Sequence, residues 1–253
     1  MQKGDVAMKL AVVSCVLALM AVACAGAQQL TALPPQVVVV TPEPFATNVD
    51  PLVEEVTVTF DRPMDPDGFG FGGVRWTGLF PGIRNAIPSW RDDNTTCVLP
   101  VSLVKDCTYA ISVNDTQNRG FVDANGVPAC GFAWVFATGE RTAEQLPPHV
   151  VSSAPEQGAT DVDPRLREIT VSFDRLIAPG DHSWVIFQGS GLYPGYRGGE
   201  VTLSEDRMSA ALDVRLSPGT VYALGVNDLR YSGYKDIYGR PLLPFGLCFR
   251  TAD

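Results

Sequence analysis

The sequence predicts an all-β protein with two β-sandwich domains in tandem, and three observations support this fold class. Residues 33–140 align without a gap on residues 146–253, an offset of 113, and 40 of the 108 aligned pairs are identical. Several segments alternate apolar and polar residues with a period of two, as half-buried strands do. Turn-forming residues separate these segments about every ten residues, and no segment has the apolar spacing of an amphipathic helix.

The repeat also sets the predicted domain boundaries. We assign residues 1–27 to an export signal, residues 28–140 to the first domain and residues 141–253 to the second. A domain of this size is large enough to bury its own hydrophobic core. A short linker near residues 139–147 ends in a Pro-Pro pair, which we expect to limit the hinge freedom between the domains.

Each domain is predicted to contain about seven strands. In the first domain they lie near residues 36–41, 55–61, 70–76, 83–90, 95–101, 107–114 and 131–138. The alternation in the second strand puts Val56, Val58 and Phe60 on one buried face. A Leu stands six residues before Tyr109 and again before Tyr222, the spacing of a tyrosine corner, which favours an immunoglobulin-like sandwich. An ordinary core tyrosine at the start of a strand fits the same spacing.

The first 27 residues have the pattern of an export signal. Lys3 and Lys9 precede an apolar stretch at residues 10–23, which is too short to span a membrane. Residues 25–27 form a cleavage site of the A-x-A type. Alternatively, the residues ending at Cys24 resemble the bacterial lipobox, in which the cysteine is lipidated, although position −3 is Ala and not Leu. Either processing event places the mature protein outside the cytoplasm, where disulfides form.

The charge of the chain limits the classes of partner. The net charge of −9 argues against nucleic acid, because phosphate binding needs clustered Lys and Arg. No apolar stretch after residue 27 is long enough to span a membrane, so we expect membrane contact only through a lipid on Cys24.

Residues that could carry catalysis are scarce. His149 and His182 are the only histidines, and neither has a counterpart in the other repeat. A Ser-His-Asp triad or a zinc site needs several such groups to converge. Carboxylates that recur in both repeats, such as Asp61 and Asp174, fit turn-capping roles better than a glycosidase pair. We therefore predict no enzymatic activity and no cofactor, with a small extracellular hydrolase as the least favoured alternative.

Asp65 and Asp67 are the candidate metal ligands. They place two carboxylates close together in one turn, and Ca²⁺ prefers such hard oxygen ligands. The turn lacks the spacing of an EF-hand, and the second repeat keeps only one carboxylate there. A simple Asp/Gly turn therefore explains the pattern as well.

Aromatic residues near predicted loops are the candidate ligand contacts. Exposed rings stack on sugar faces or anchor a protein partner. Residues that occur in one repeat only are the better candidates, because recurring residues are expected to serve the shared fold. These candidates are Trp76 and Trp90 in the first repeat, and Tyr231 and Tyr234 in the second.

Four cysteines follow the export signal. Strand parity points Cys97, Cys107 and Cys130 toward the core of the first domain and Cys248 outward. We prefer a Cys97–Cys130 disulfide, since both residues should lie toward one end of the sandwich, and buried free thiols are the alternative. No Cys-x-x-Cys spacing indicates a redox or metal site.

Each repeat resembles the bacterial Ig-like domain of surface-layer proteins, the SbsA type. The matching features are an opening Pro-Pro pair, a Val-Asp-Pro turn, the stretch VTFDRPMD at 58–65, Asp-x-x-Gly turns at Asp123 and Asp236, and the closing FATG at 136–139. The stretch at 60–65 is intact in the first repeat only. The resemblance implies immunoglobulin-like sandwiches that serve as extracellular building blocks of surface-layer, adhesive and polysaccharide-degrading proteins, and it carries over no catalytic residue.

These observations predict a non-catalytic, extracytoplasmic protein with a structural, adhesive or protein-interaction role at the bacterial cell surface. It would be secreted or lipid-anchored, and its partner would be a cell-surface protein or a polysaccharide. A carbohydrate-binding module that uses the loop aromatics is the alternative.

Overall fold

The computed structural model describes residues 30–83 and 87–253, and at residues 196–200 it describes the backbone only. The predicted export signal and Cys24 therefore lie outside the described residues. Within them the chain forms 15 β-strands and one short 3-10 helix, Ala143–Gln145, so the prediction of an all-β fold is confirmed. No helix in this part of the chain is long and apolar enough to cross a membrane.

The N-terminal unit consists of the first eight strands. They are β1 (Val37–Thr41), β2 (Glu55–Phe60), β3 (Phe71–Gly73), β4 (Gly82–Ile83), β5 (Ser89–Arg91), β6 (Thr96–Ser102), β7 (Thr108–Val113) and β8 (Phe132–Ala137). One sheet has the order β1-β2-β6-β4, with β5 also paired to β6, and the other has the order β3-β7-β8.

The C-terminal unit consists of the remaining seven strands. They are β9 (Val150–Ala154), β10 (Glu168–Phe173), β11 (Trp184–Ile186), β12 (Gly195–Leu203), β13 (Ser209–Arg215), β14 (Val221–Val226) and β15 (Phe245–Arg250). They form a sheet of order β12-β13-β10-β9 and a sheet of order β11-β14-β15. Six N-terminal strands recur here with bounds shifted by 113, so the sequence repeat is also a repeat of strands. The expected boundary between residues 140 and 141 falls after β8 and stays a prediction.

Each unit is a sandwich whose core lies between its two sheets. Apolar side chains of both sheets meet in the N-terminal unit, namely Val56, Leu99, Ile111, Trp134 and Phe136. The aligned residues do the same in the C-terminal unit, namely Ile169, Leu212, Leu224, Leu247 and Phe249. Full burial of such a side chain stabilises a fold by roughly 1.5–3 kcal/mol, which explains why these strands alternate.

Both units contain the predicted tyrosine corner. The backbone N–H of Val104 donates to the hydroxyl oxygen of Tyr109 at 2.6 Å, and that of Ser217 donates to Tyr222 at 2.7 Å. Each bond ties a strand to the loop that precedes it, as in immunoglobulin-like sandwiches.

The two units pack against each other through the outward faces of their three-stranded sheets. One buried cluster contains Val74, Ala110, Ala133 and Val135 of the N-terminal unit with Leu243 of the C-terminal unit. The other contains Cys130 of the N-terminal unit with Val185, Phe187, Ala223 and Cys248 of the C-terminal unit. The units therefore lie face to face and not end to end.

These two clusters are related to each other by the repeat. Cys130 aligns with Leu243, and Cys248 aligns with Val135, so the same pair of positions meets once in each cluster. This is the arrangement of an isologous interface, in which one surface of two related units meets itself around a pseudo-two-fold axis.

Glycines and hydrogen bonds set the distance between the two sheets. A Cβ atom on Gly246 would lie 2.0 Å from the carbonyl oxygen of Gly131, so the two backbones approach as only glycine permits. The hydroxyl of Thr116 donates to the carboxylate of Asp228 across the same interface. These contacts make the interface close-packed and leave little freedom for one unit to turn against the other.

The structure corrects the predicted disulfide. Cys130 is bonded to Cys248, with Cα atoms 6.4 Å apart, so the bridge joins the two units. The expected Cys97–Cys130 pairing is wrong, because Cys97 is a free and fully buried thiol on β6. The alternation of side chains along a strand gave the wrong direction for Cys130, because β8 begins at Phe132 and Cys130 therefore lies outside the strand. Cys248 does point outward from its own core, and the other unit covers it there.

Candidate functional site

The loop at residues 228–241, which joins β14 to β15, is the best-defined candidate binding surface. Three polar side chains hold its backbone. Asn227 donates to two carbonyl oxygens at 2.9 and 3.2 Å. One oxygen of Asp228 accepts two N–H groups at 2.8 and 2.7 Å, and one oxygen of Asp236 accepts two more at 2.9 and 3.0 Å. The loop is therefore held in one conformation although it has no regular secondary structure.

The N-terminal unit builds the same scaffold at residues 115–128. Asn114 makes the two carbonyl bonds at 2.9 and 3.1 Å. Asp115 accepts its two N–H groups at 2.7 Å each, and Asp123 accepts its pair at 2.8 and 3.0 Å. The recurring aspartates thus cap turns, which is the role that their recurrence predicts.

The side chains displayed by the two loops differ in chemistry. The N-terminal loop carries Gln117, Asn118, Ala124, Asn125 and Val127 where the C-terminal loop carries Arg230, Tyr231, Ile237, Tyr238 and Arg240. Tyr231 is 58% exposed, Ile237 49% and Tyr238 76%. Aromatic side chains on a rigid loop bind with a small loss of conformational entropy. The C-terminal loop therefore has the character of a binding surface, and its N-terminal counterpart does not.

One cleft, the Tyr238 cleft, has a volume of about 230 Å³ and is lined by Leu176, Ile237 and Tyr238 together with charged residues. The guanidinium carbon of Arg240 lies 5.4 Å from the centroid of the Tyr238 ring. The same guanidinium pairs at 2.6 Å with Asp236, whose side chain is fully buried. The cleft thus combines exposed apolar side chains with a charge that already has a partner, a composition common in protein–protein contacts.

A second cleft, the Tyr231 cleft, has a volume of about 460 Å³. Its lining includes Thr116, His182, Ser183, Trp184, Ile186, Gln188, Arg230 and Tyr231. Because Thr116 belongs to the N-terminal unit, the interface between the units completes this cleft. None of the described lining residues is acidic, and the guanidinium of Arg230 makes no hydrogen bond or ion pair with another described residue.

Tyr234 packs against two residues that line the Tyr231 cleft. It is fully buried, and its ring centroid lies 4.8 Å from that of His182 and 6.5 Å from that of Trp184. Burial raises the pKa of the Tyr234 phenol and lowers the pKa of His182, although the nearby Asp181 carboxylate opposes the second shift. The prediction that Tyr234 contacts a ligand is therefore wrong, and the residue instead positions Trp184 and His182.

The two predicted tryptophans serve packing. The ring centroid of Trp90 lies 5.8 Å from that of Phe121 and 6.1 Å from that of Phe60, two residues of the N-terminal core. Trp76 packs against the interface cluster that contains Val74. Of the four aromatic candidates only Tyr231 is exposed, whereas Trp76 and Trp90 are half-buried and Tyr234 is buried, and the structure does not bring the four together.

The predicted calcium ligands form an ordinary turn. One carboxylate oxygen of Asp65 accepts the backbone N–H of Asp67 at 2.9 Å, which is the geometry of an Asx-turn. In the described part of the chain, no three His, Cys, Asp or Glu side chains are grouped closely enough to hold a metal ion. Calcium binding at this pair stays a prediction with two candidate ligands.

The solved structures to which this chain is similar include an S-layer protein, a Dpr2 complex and an N-cadherin. The S-layer protein rSbsC(31-844) is 11% identical, with a TM-score of 0.26 over 87% of this chain and 26% of that one. Dpr2 Ig1-Ig2, in complex with DIP-Theta Ig1-Ig3, is 10% identical, with a TM-score of 0.29 over 87% and 100%. Drosophila N-cadherin EC1-4 is 14% identical, with a TM-score of 0.26 over 88% and 51%. All these TM-scores are below 0.5, so the likenesses carry no argument about function.

A protein-family model gives the more specific comparison. No curated protein matches the chain. The chain spans about a quarter of the S-layer protein named above, since 26% of that protein is covered. The family model matches residues of the C-terminal unit. The stretch at residues 60–65, which is the most specific part of the resemblance noted in the sequence, belongs to the N-terminal unit and lies outside this match. The SbsA type and the second copy stay predictions. Residues 144–251 of this chain are similar to the family described as bacterial Ig-like domain, a kind of domain that is typically non-enzymatic.

Proposed function

We propose that the protein is a non-catalytic binding module of the bacterial cell surface, in which the 228–241 loop contacts the partner. The observation that carries this proposal is the pair of loops. One scaffold with the same hydrogen bonds displays small or polar side chains in the N-terminal unit, and Arg, Ile and Tyr side chains in the C-terminal unit. Tyr231, Ile237 and Tyr238 are exposed on one loop, and grouped exposed apolar side chains mark interaction sites more often than scattered ones do.

The packing between the units supports a role in adhesion or interaction. The disulfide and the close approach at Gly131 and Gly246 hold the loop in a fixed position relative to the N-terminal unit. A preorganised surface binds more tightly than a mobile one, because less entropy is lost when the partner arrives.

An extracytoplasmic location is part of the proposal. Residues 1–27 have the pattern of an export signal, and the Cys130–Cys248 disulfide needs an oxidising compartment to persist. Mass spectrometry of the mature N-terminus tests this point and separates the two processing routes. A mass that begins at a lipidated Cys24 indicates anchoring, one that begins after Ala27 indicates secretion, and an unprocessed chain contradicts both.

The binding role is tested with a tip variant that carries Arg230→Gln, Tyr231→Asn, Ile237→Ala and Tyr238→Asn. Each new residue is the one that the N-terminal loop has at the same position of the same scaffold, so we expect the fold to persist. Binding to isolated bacterial cell envelopes, measured by co-sedimentation, should weaken by about tenfold or more, because the large anchor side chains are lost.

The matched control changes the loop at residues 115–128. A variant with Gln117→Ala and Asn125→Ala alters two exposed side chains of the N-terminal loop and should bind as the wild type does. If the tip variant keeps its melting temperature and binds envelopes with the affinity of the wild type, the proposed function is wrong.

A further inference from the structure

We propose that the Tyr231 cleft binds a carbohydrate chain that carries carboxylate groups. This inference rests on the proposed function and names the class of ligand for one of the two clefts. Its volume of about 460 Å³ lies within the range of roughly 300–1,000 Å³ that ligand pockets have.

The apolar part of the cleft suits the face of a sugar ring. Tyr231 is 58% exposed and Ile186 is 48% exposed, and Trp184 is half-buried beside them. A pyranose has one face made mainly of C–H groups, and such faces stack on exposed aromatic rings. The N-terminal unit has Asn, Gly and Phe at these three positions. The apolar wall formed by Tyr231, Ile186 and Trp184 therefore occurs in the C-terminal unit only.

The backbone that carries Tyr231 is held by hydrogen bonds, and the ring of Trp184 packs on a buried neighbour. The backbone N–H of Tyr231 donates to Asp228 at 2.7 Å, and its carbonyl oxygen accepts the N–H of Asp228 at 2.9 Å. Trp184 makes an edge contact with the buried ring of Tyr234. Backbone that is already ordered loses little entropy when a ligand stacks on the side chains it carries.

The polar part of the cleft suits an acidic group. A guanidinium presents donors in a planar fork that matches the two oxygens of a carboxylate, and that of Arg230 is not paired with a described residue. Gln188 adds an exposed side-chain amide, which can donate to a hydroxyl and accept from one. The lining holds no Asp or Glu, whereas the chain as a whole has a net charge of −9. An anion is therefore repelled by the protein in general and accommodated at this cleft.

Two carboxylates lie close to the cleft without lining it, those of Asp181 and Asp228. Asp228 is 1% exposed, one of its oxygens accepts two loop N–H groups, and the other accepts the hydroxyl of Thr116. These three donors occupy most of the acceptor sites of Asp228, and no described ion pair joins it to the Arg230 guanidinium. The Tyr238 cleft differs in this respect, because its Arg240 already pairs with Asp236.

Isothermal titration calorimetry on the mature protein tests the inference with two probes. They are a short oligogalacturonate and the same oligosaccharide after reduction of its carboxyl groups. We expect binding of the acidic probe and binding at least about tenfold weaker for the reduced one, since a charge-assisted hydrogen bond is lost. Arg230→Gln and Tyr231→Asn should each weaken binding of the acidic probe by about tenfold or more. Tyr231→Phe, which keeps the ring, should bind like the wild type.

Leu52→Asn is the control, because it puts Asn in place of another exposed apolar side chain, one that lies in the N-terminal unit outside both clefts, and it should leave binding unchanged. Equal affinity for both probes, absence of binding by the wild type, or an equal loss in Leu52→Asn would each overturn the inference. Treatment of envelopes separates it from the proposed function. If protease abolishes envelope binding and periodate oxidation of glycans does not, the partner is a protein, and the inference fails while the proposed function stands.

Discussion

Removal of the disulfide between the two units is expected to destabilise the protein by about 5 kcal/mol. The bridge joins residues that are 118 positions apart, so it closes a loop that contains almost all of the C-terminal unit. In the chain-entropy model, a loop of this length lowers the entropy of the unfolded chain by about 16 cal/mol/K, which is about 5 kcal/mol at 25 °C. The double variant Cys130→Leu with Cys248→Val removes the bridge and keeps apolar side chains at both positions. The repeat already places Leu and Val at the related positions of the other interface cluster.

Urea unfolding followed by tryptophan fluorescence measures this effect. With an m value of about 2–3 kcal/mol/M, a loss of this size lowers the unfolding midpoint by roughly 2 M. Wild-type protein treated with a reductant should show the same fall. Cys107→Thr leaves the bridge intact, copies the residue of the C-terminal unit, and should shift the free energy of unfolding by less than about 1 kcal/mol. The reasoning is refuted if the double variant unfolds within about 1 kcal/mol of a wild type whose bridge is confirmed by peptide mapping.

Three further predictions concern single residues. Burial raises the pKa of the Cys97 thiol to about 12, so a thiolate-directed reagent at pH 8 should alkylate Cys107 much faster than Cys97 in the folded protein, and equal rates would contradict this. Burial lowers the pKa of His182, so the unfolded chain takes up its proton first and stability is lost as the pH falls below about 6.5. His182→Phe, which copies the N-terminal unit, should flatten the fall in melting temperature between pH 7 and pH 5; curves that remain parallel would count against this assignment. Gly246→Ala should cost about 1–3 kcal/mol in urea unfolding, because its Cβ would meet a backbone oxygen at 2.0 Å, whereas the nearest described atom to the Cβ of Gly195→Ala lies at 3.7 Å, so that variant should change little. Equal effects of the two glycine variants would contradict the close approach of the sheets.

The fold could be predicted because its determinants are local and repeated. The alternation at Val56 and Val58 specifies a half-buried strand, and the repeat shows the same pattern at Ile169 and Val171. The Leu six residues before Tyr109 and before Tyr222 predicts a tyrosine corner, and a backbone N–H group donates to the hydroxyl of each tyrosine as that corner requires. Such features depend on residues near each other in the chain, so one sequence is enough to find them.

The interface was not predicted, although the sequence contains a sign of it. Strands β8 and β15 read FAWVFA and FGLCFR, and β8 has apolar residues at both parities. A strand with one face in its own core needs apolar residues at only one parity, so the second apolar set at Ala133 and Val135 indicates that another surface covers the outer face. The pairing of Cys130 with Cys248 follows from that surface, and strand parity within one domain could not show it.

The comparison of the two repeats found part of the site and misjudged another part. It identified Tyr231 correctly as an exposed ring, since position 231 aligns with Asn118. It failed for Tyr234, which aligns with Phe121, a fully buried core residue, so that the repeat itself indicated burial at this position. The same comparison would also have selected Tyr238, which aligns with Asn125. The Tyr231 cleft needs Thr116 from the other unit, and no local pattern reveals such a contact.

Hydroxyl-radical footprinting of the mature protein, free and bound to bacterial cell envelopes, tests the central claim most directly. Mass spectrometry then reports how strongly each exposed side chain is oxidised. We expect oxidation of Tyr231 or Tyr238 to fall on binding, while that of Leu79 and Val104, exposed residues of the N-terminal unit, stays unchanged. Protection of Leu79 or Val104, with Tyr231 and Tyr238 oxidised as in the free protein, would contradict the claim that the 228–241 loop is the binding surface.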